Sequence, residues 1–419
     1  MTELRIGASG ELGVERSRYR WYVLTLAALT HTLVVGMPTM SMPVLFQEIA
    51  ADLDMNLVQV GVVWGLTSLT GIVMGLAGGI IGDRYGAKRT LLVACLVAGI
   101  TAALPGLAFN FASLAVASFL AGLVLSVIPT NVHKTCGIWF SGRRLGLANG
   151  VVSAGMAFGF MLGSLLAATV LSPWLGGWRN VFFFYAAVDM VIAVLWAATR
   201  AGPDRSRGAR QGSTPAGLRA GFAHVVRLSS IWWLSLAMLG VGSCIQGALG
   251  YLPIYLRDLG WPETAADATL AMFHFVSMVC TIPLAMLSDR LGSRMRVLMV
   301  STCITAAGIA ALAFADGWMI LVAVLLAGMT RDGFMAVLMT QIIELPGVGA
   351  AFAGTATGLI MASSRFGAVV SPPLGNSLAA IDPGLPFLFW ASLAMMGLAG
   401  FIVVYRQQRR TAALALLQQ

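Results

Sequence analysis

The sequence GDRYGAKRTL, residues 82–91, returns in altered form as SDRLGSRMRVL, residues 288–298. The two copies place Asp83 and Asp289 at an offset of 206 positions, and the same offset aligns LAG at 120–122 with LAG at 326–328. A repeat with a period of about half of this 419-residue chain predicts two related halves.

The composition indicates an integral membrane protein. Hydrophobic residues make up 58% of the chain and charged residues only 10%, which is too little polar surface for a water-soluble fold. A helix needs about 20 apolar residues to cross a bilayer. Twelve such segments are predicted, at 21–46, 57–82, 89–108, 112–138, 145–171, 178–199, 229–256, 264–287, 296–315, 317–343, 352–379 and 384–405.

The polar stretches divide these twelve spans into two sets of six. The predicted parts are a tail at 1–20, an N-terminal bundle at 21–199, a linker at 200–228, a C-terminal bundle at 229–405 and a tail at 406–419. With the tails and the linker in the cytoplasm, cytoplasmic segments hold 21 of the 26 Lys and Arg residues, and the outside links hold only Arg179 and Arg257. We therefore expect a multi-pass protein of the cell inner membrane with both termini in the cytoplasm.

Several functional classes are disfavoured by what the sequence lacks. The net charge of +9 does not indicate a nucleic-acid partner, because the basic residues lie in the links between spans. The five cysteines stand singly, with no CxxC and no histidine spacing suited to zinc, so neither a metal nor another cofactor is predicted. The polar segments contain no nucleophile with a base and no phosphate-binding loop, so an enzyme or a nucleotide-driven pump is not expected.

The chain resembles the major facilitator superfamily along essentially its whole length. The residues that carry the resemblance are GGIIGDRYGAKR, Gly78 to Arg89, after span two, and the degenerate copy LSDRLGSRMR, Leu287 to Arg296, after span eight. The resemblance implies an all-α membrane protein of twelve transmembrane helices in two pseudo-symmetric six-helix bundles. In that architecture a substrate site lies near the bilayer midplane and is opened to each side by alternating access.

The resemblance also implies a conformational gate at these motifs. Asp83 would face the N-terminal end of span eleven, while Gly79 would permit close helix approach and Gly86 a tight turn. Arg84, Lys88 and Arg89 would form ion pairs between helices, although Lys88 and Arg89 could equally serve only to anchor the topology. The implied gate residues are Gly79, Asp83, Arg84, Gly86, Lys88 and Arg89 in the first copy and Asp289, Arg290 and Gly292 in the second.

Three charges lie deep inside predicted spans. Arg331 and Asp332 are about fifteen residues into span ten, and Arg365 is about fourteen residues into span eleven, which places them near mid-membrane. An ionised residue there costs about 2.5–3.5 kcal/mol on insertion scales, so each is a candidate functional residue. Neighbouring residues on a helix diverge by about 100°, so we expect Asp332 to pair with Arg365. A structural ion pair between Arg331 and Asp332 is the alternative.

The repeat makes these charges asymmetric between the halves. The offset of 206 places Leu125 and Ser126 at the positions of Arg331 and Asp332, and the alignment of span five with span eleven places Ala157 at that of Arg365. The scaffold therefore does not require the charges, which favours a ligand role. Carriers of small organic anions in the oxalate/formate and monocarboxylate branches of the family have a cation in span eleven, and Arg365 is similarly placed.

Other polar residues near mid-span complete the predicted site. The predicted substrate-binding residues are Arg331, Arg365, His31, His274, Gln246 and Thr67, and the predicted proton-coupling residues are Asp332, His274 and Asp189. For the histidines and Asp189, hydrogen-bonded packing is the alternative. For Lys134, near the cytoplasmic end of span four, the sequence leaves open an anchoring role and a gating role.

These observations predict a secondary transporter that moves a small organic anion, a mono- or dicarboxylate, by alternating access and coupled to protons. An exporter of amphipathic or hydrophobic compounds is the main alternative. A transporter-like sensor is less favoured, because the tails of about 20 and 14 residues leave little room for an added domain. The predicted partners are the substrate anion, protons and the lipid bilayer, and the protein is expected to be a monomer.

Overall fold

The computed structural model describes residues 18–141, 143–200 and 222–417. The predicted N-terminal tail and most of the predicted linker lie outside these residues. The described chain is helical, with no strand, and twelve helices lie at the predicted spans. Their bounds are α1 Tyr19–Asp52, α2 Leu57–Tyr85, α3 Ala87–Leu107, α4 Phe111–Trp139, α5 Arg144–Leu175, α6 Trp178–Ala198, α7 Ser229–Asp258, α8 Glu263–Leu291, α9 Arg294–Ala311, α10 Trp318–Ile343, α11 Gly349–Leu378 and α12 Leu385–Leu417.

Membrane-crossing character is distributed unevenly over these helices. Within the described residues, ten are long and apolar enough to span a bilayer, and α2 is an eleventh if its pieces Leu57–Ile72 and Ala77–Tyr85 count as one span. The remaining helix, α11, has the necessary length of 30 residues. Its hydropathy is lowered by Arg365 and by a high content of Gly, Ser and Thr, which is consistent with a helix that faces protein or substrate rather than lipid.

The two halves contain matching breaks. Helix α4 is interrupted between Phe111–Leu125 and Ile128–Trp139, and α10 between Trp318–Gly328 and Arg331–Ile343. Each break begins within four residues after the repeated LAG sequence. In α4 the second piece starts with Pro129 in its first turn, where the missing N–H of proline is not needed. In α10 the second piece starts with Arg331.

Contacts within the chain define two compact units. The first unit takes the described residues up to Met42 and from Val73 to the end of α6, and the second takes Pro43–Ile72 with α7 to α12. The end of α1 and the first part of α2 are therefore grouped with the C-terminal helices. The boundaries of the two six-helix bundles stay a prediction.

Close packing attaches the first part of α2 to α7 and α11 in the second unit. Trp64 donates from its indole Nε1 to the backbone carbonyl of Gln246 at 2.7 Å. Asn376 donates from its amide to the carbonyl of Leu57 at 2.7 Å. At Gly65 an added Cβ would overlap the backbone of α11, so the two helices are in backbone contact there.

A buried ion pair is the second attachment of this segment. Arg257, near the end of α7, donates to the Asp267 carboxylate of α8 at 2.6 Å and to the backbone carbonyl of Val44 at 2.6 Å. The exposed fractions of the two charged side chains are 4% and 0%. Arg257 is therefore an internal ion-pair partner rather than an exposed cation of an outside loop.

Removing one member of this pair should destabilise the protein strongly. Arg257→Met or Asp267→Asn leaves the other polar group buried without its partner, which costs about 3–5 kcal/mol. The double variant should lose less than either single variant. Unfolding of the purified protein in mixed micelles, followed by tryptophan fluorescence, measures the difference. Arg294→Gln is the control, because Arg294 belongs to an exposed ion-pair group worth about 1 kcal/mol or less. Equal losses for the internal and the exposed pair would contradict this prediction.

Candidate substrate site and cytoplasmic motifs

The break in α10 positions an ion pair against α8. Arg331 begins the second piece of the helix, and its guanidinium donates to the carboxylate of Asp332 at 2.9 Å. The backbone N–H of Asp332 donates to the hydroxyl of Ser277 at 3.1 Å. His274, one turn earlier on α8, is buried and near enough to Arg331 to interact with its charge. The predicted residues Arg331, Asp332 and His274 therefore lie in one polar cluster.

The expected pairing of Asp332 with Arg365 is wrong. Asp332 pairs with its own neighbour, although adjacent Cα–Cβ directions on a helix diverge. The reason is that Arg331 follows the break at Met329 and Thr330, and its long side chain can bend back to the adjacent carboxylate. The alternative of a local Arg331–Asp332 ion pair is the arrangement found.

Arg365 lies against α2 instead. Its guanidinium occupies the place where a side chain at Gly71 would stand, so the two helices come together at this glycine. Among the described residues no carboxylate lies within ion-pair distance of Arg365, and its side chain has exposed surface. An arginine near mid-helix with no acidic partner can bind an anion.

Thr67 and Gln246 belong to the same region of the second unit. Thr67, one turn before Gly71 on α2, donates to the carbonyl of Trp64 at 2.6 Å. The same Trp64 donates to the backbone carbonyl of Gln246 on α7. The structure therefore gathers Arg365, Thr67 and Gln246 around one face of α2.

The predicted residues of the first unit lie in two separate places. His31 belongs to a π-helical turn, Thr30–Gly36, and its Nδ1 is 3.0 Å from the carbonyl of Val152 on α5. Asp189 on α6 is buried, and within the described chain neither carboxylate oxygen has a hydrogen-bond partner. It lies beside Cys95 of α3. Asp189 is thus a core carboxyl between α3 and α6.

Polar contacts from Lys134 connect the first motif copy to α4. Lys134 donates to the Asp83 carboxylate at 2.7 Å and to the carbonyl of Gly79 at 3.0 Å. Lys134 therefore bridges α4 and α2 rather than extending to the membrane surface. Lys88 donates to the carbonyl of Thr199 just beyond α6, where a cation stabilises the helix C-terminus.

The second motif copy has an analogous ion-pair group. Arg294 bridges Asp289 and Glu344, with each N–O distance at 2.8 Å. Gly86 and Gly292 both have positive φ, +85° and +58°, which explains the glycine in each copy of the motif. The remaining arginines of the predicted gate, Arg84, Arg89 and Arg290, have exposed side chains.

Close approach of α2 to α4 does not occur at Gly79. A Cβ there would make an ordinary 3.7 Å contact, whereas one at Gly78 or Gly82 would overlap Val127 or Asn131. Gly78 and Gly82 are four residues apart and share a helix face, from which Gly79 is rotated by about 100°. Asn131, which sequence reasoning missed, is buried and donates to the carbonyls of Gly78 and Val127, each at 2.9 Å.

With this geometry established, comparison with known proteins identifies the family. The family model described as Major Facilitator Superfamily matches residues 24–353 and 256–415, so the chain belongs to this superfamily. The predicted family and fold class are confirmed. The chain is 17% identical to a bacterial homologue of the human lysosomal transporter Spinster, whose crystal structure is inward-facing and occupied. The likeness covers 93% of this chain and 97% of that one with a TM-score of 0.76, which shows the fold.

Curated relatives are named as transporters. The 3-(3-hydroxy-phenyl)propionate transporter of Escherichia coli (strain K12) is 25% identical over 86% of this chain and 88% of its own length. The gallate transporter of Pseudomonas putida is 24% identical over 91% and 90%. The hexuronate transporter of Bacillus subtilis (strain 168) is 27% identical, but over only 35% of this chain and 34% of its own length. None of these relatives is named as an enzyme.

Two glycine substitutions should have different effects on stability. Gly82→Ala places a methyl group on Asn131, which is buried and held by two hydrogen bonds, so overpacking should cost about 1–3 kcal/mol. Gly71→Ala meets only the end of the flexible Arg365 side chain, which can swing away. Thermal unfolding of the purified variants measures both. Gly354→Ala, where a Cβ meets nothing within 4 Å, is the control. A Gly82→Ala protein as stable as the control would contradict the tight α2–α4 contact.

Proposed function

We propose that this protein is a secondary transporter that moves a small organic anion across the cell inner membrane by alternating access. The observation that carries the proposal is Arg365, a cation in the middle of α11 with no carboxylate partner among the described residues. A cation at this depth in a membrane-spanning helix needs a counter-charge, and the substrate would supply it.

A carboxylate suits this position for geometric reasons. The planar guanidinium donates two parallel charge-assisted hydrogen bonds, which match the two oxygens of a carboxylate. Arg331 contributes no comparable net charge, because Asp332 neutralises it at 2.9 Å. We therefore assign the carboxylate to Arg365, with Thr67 and the Gln246 amide as neutral hydrogen-bonding groups for the remainder of the molecule. Arg331 and His274 form a second polar cluster whose charge is balanced internally.

The named substrates of the relatives support the same class. Those that match along most of the chain are named for 3-(3-hydroxy-phenyl)propionate and gallate, which are both aromatic carboxylates. Hexuronate, in the name of the shorter match, is a sugar carboxylate. A carboxylate is the feature that all three share, and an arginine is the side chain that recognises it.

Coupling, orientation and oligomeric state complete the proposal. Protons would accompany the anion, with His274, Asp189 and Asp332 as candidate groups. The positive-inside distribution supports cytoplasmic termini. We further propose that the protein works as a monomer and that the motif residues around Asp83 and Asp289 gate access from the cytoplasm.

Substitution of Arg365 tests the proposed function. A thermal-shift screen of the purified protein against mono- and dicarboxylates should find stabilising anions, because a ligand that binds only the folded state raises its apparent stability. Arg365→Gln should abolish both this stabilisation and the uptake of the same anion into proteoliposomes. Arg365→Lys keeps the charge but loses the planar fork, and should retain only weak binding.

Arg409→Gln is the matched control, because Arg409 lies near the end of α12 beside Tyr405 and should not affect uptake. Unaltered anion uptake by Arg365→Gln would overturn the proposal. Stabilisation of the wild type by hydrophobic cations or neutral amphiphiles, with no response to any carboxylate, would instead favour the exporter.

A further inference from the structure

A pair of histidine side chains lies in the first unit. The rings of His31 on α1 and His133 on α4 have centroids 5.7 Å apart and planes at 87°. His31 is 2% exposed, whereas His133 is half-buried. The sequence offered no reason to join them, because they are more than 100 residues apart and His133 stands next to Lys134 in a polar stretch.

The hydrogen bonds of the two rings define where their protons are. His31 Nδ1 is 3.0 Å from the carbonyl oxygen of Val152, which only accepts, so Nδ1 carries the hydrogen. His133 Nδ1 is 3.1 Å from the amide oxygen of Asn149, and the same argument applies. The basic atom of each neutral ring is then Nε2. Within the described residues, His31 Nε2 is buried without a hydrogen-bond partner.

The surroundings hold His31 in place. It lies in the π-helical turn Thr30–Gly36, an uncommon structure that often marks functional sites. The flanking side chains are held by hydrogen bonds, since Trp196 donates to Thr30 at 2.9 Å and Thr32 donates to the carbonyl of Gly155 at 2.7 Å. The ring of His31 therefore has little freedom to turn away from His133.

The charged groups on the neighbouring helices are basic, and one of them is held in an ion pair. Lys134 follows His133 on α4, but its ammonium is paired with Asp83 of α2 at 2.7 Å. Helix α5 contributes Asn149 and, near its start, the exposed Arg144. Helix α1 contributes His31 and the buried Arg20, whose guanidinium lies 5.9 Å from the Phe140 ring centroid just beyond α4. Cys136 is the other titratable group nearby on α4. Among the described residues no carboxylate is paired with either histidine, so none holds the pair permanently protonated.

We infer that His133, rather than His274, Asp189 or Asp332, carries the coupling proton of this transporter, with His31 and Asn149 as its positioning residues. This inference rests on the proposed function. The proton binds the Nε2 lone pair of His133 and leaves from the same atom, with no other bond made or broken. His133 takes the charge because it is half-buried and its charge would keep part of its hydration. A charge on the buried His31 would be fully desolvated, which costs more free energy. The two rings are perpendicular with centroids 5.7 Å apart, and repulsion between two positive charges at that distance disfavours a second proton on the pair.

Transport assays separate coupling from substrate binding. In proteoliposomes with 3-(3-hydroxyphenyl)propionate as the probe, we expect His133→Gln to lose accumulation driven by a pH gradient and to retain exchange of labelled for unlabelled probe. His31→Asn should shift the pH dependence of driven uptake without abolishing exchange. His224→Gln is the control, because His224 lies outside the pair and bonds the carbonyl of Gly347. Retention of driven accumulation by His133→Gln, or loss of exchange together with it, would overturn the inference.

A second measurement does not depend on the substrate. The chain has only four histidines, so nitrogen NMR of histidine-labelled protein in nanodiscs can follow each ring, with single variants for assignment. We expect acidification to add the second ring proton to His133, while His31 keeps its single hydrogen on Nδ1. A His133 ring that gains no proton in this experiment overturns the inference. If the wild type transports no carboxylate, the proposed function fails, and the NMR titration still decides whether His133 is a proton site.

Discussion

Close approach of helix backbones at glycine is the constraint on which the rest of this structure depends. Lipid tails are as apolar as leucine, so helices in a bilayer gain little from hydrophobic burial against one another and associate through tight packing. In the first unit Gly36 of α1 meets Gly159 of α5, and in the second unit Gly240 of α7 meets Gly397 of α12. At such short separations, side chains can reach the backbone of the next helix, as Asn131 and Trp64 do.

The same scaffold carries different chemistry in its two units. Helices α4 and α10 break at corresponding places, which shows that the break belongs to the repeated architecture. Only α10 places charges there, and it balances Arg331 with Asp332 at once. The charge of Arg365 has no such partner among the described residues. The first unit contains the His31–His133 pair, so the two proposals place anion recognition and proton binding in different halves of the chain.

The sequence was sufficient for the number of helices, their positions and the family, because these follow from the lengths of apolar runs and from the motif around Asp83. It could not predict which way each helix faces. Lipid and protein interior are equally apolar, so a membrane helix lacks the polar stripe that orients a helix in a soluble protein. The contacts that the sequence missed depend on this orientation and on the break in α10. Gly79 was expected at a contact made by Gly78 and Gly82, and Asp332 was expected to reach Arg365. His133 was missed because its contact with His31 depends on the rotation of α4 about its own axis, which the sequence does not reveal.

The wide turn Thr30–Gly36 also determines the register of α1. A π-helical turn contains one more residue than an α-helical turn of the same rise, so the residues after it are rotated by about 100° from their positions in a regular helix. Met37 meets Gly163 of α5 in this shifted register, while residues before the turn, such as Ala28, meet Gly155. The extra residue therefore changes the helical register so that residues of α1 both before and after the turn contact α5. Removal of a single residue from this turn would restore a regular α-helix, but it would rotate the residues after the turn away from their contacts with α5.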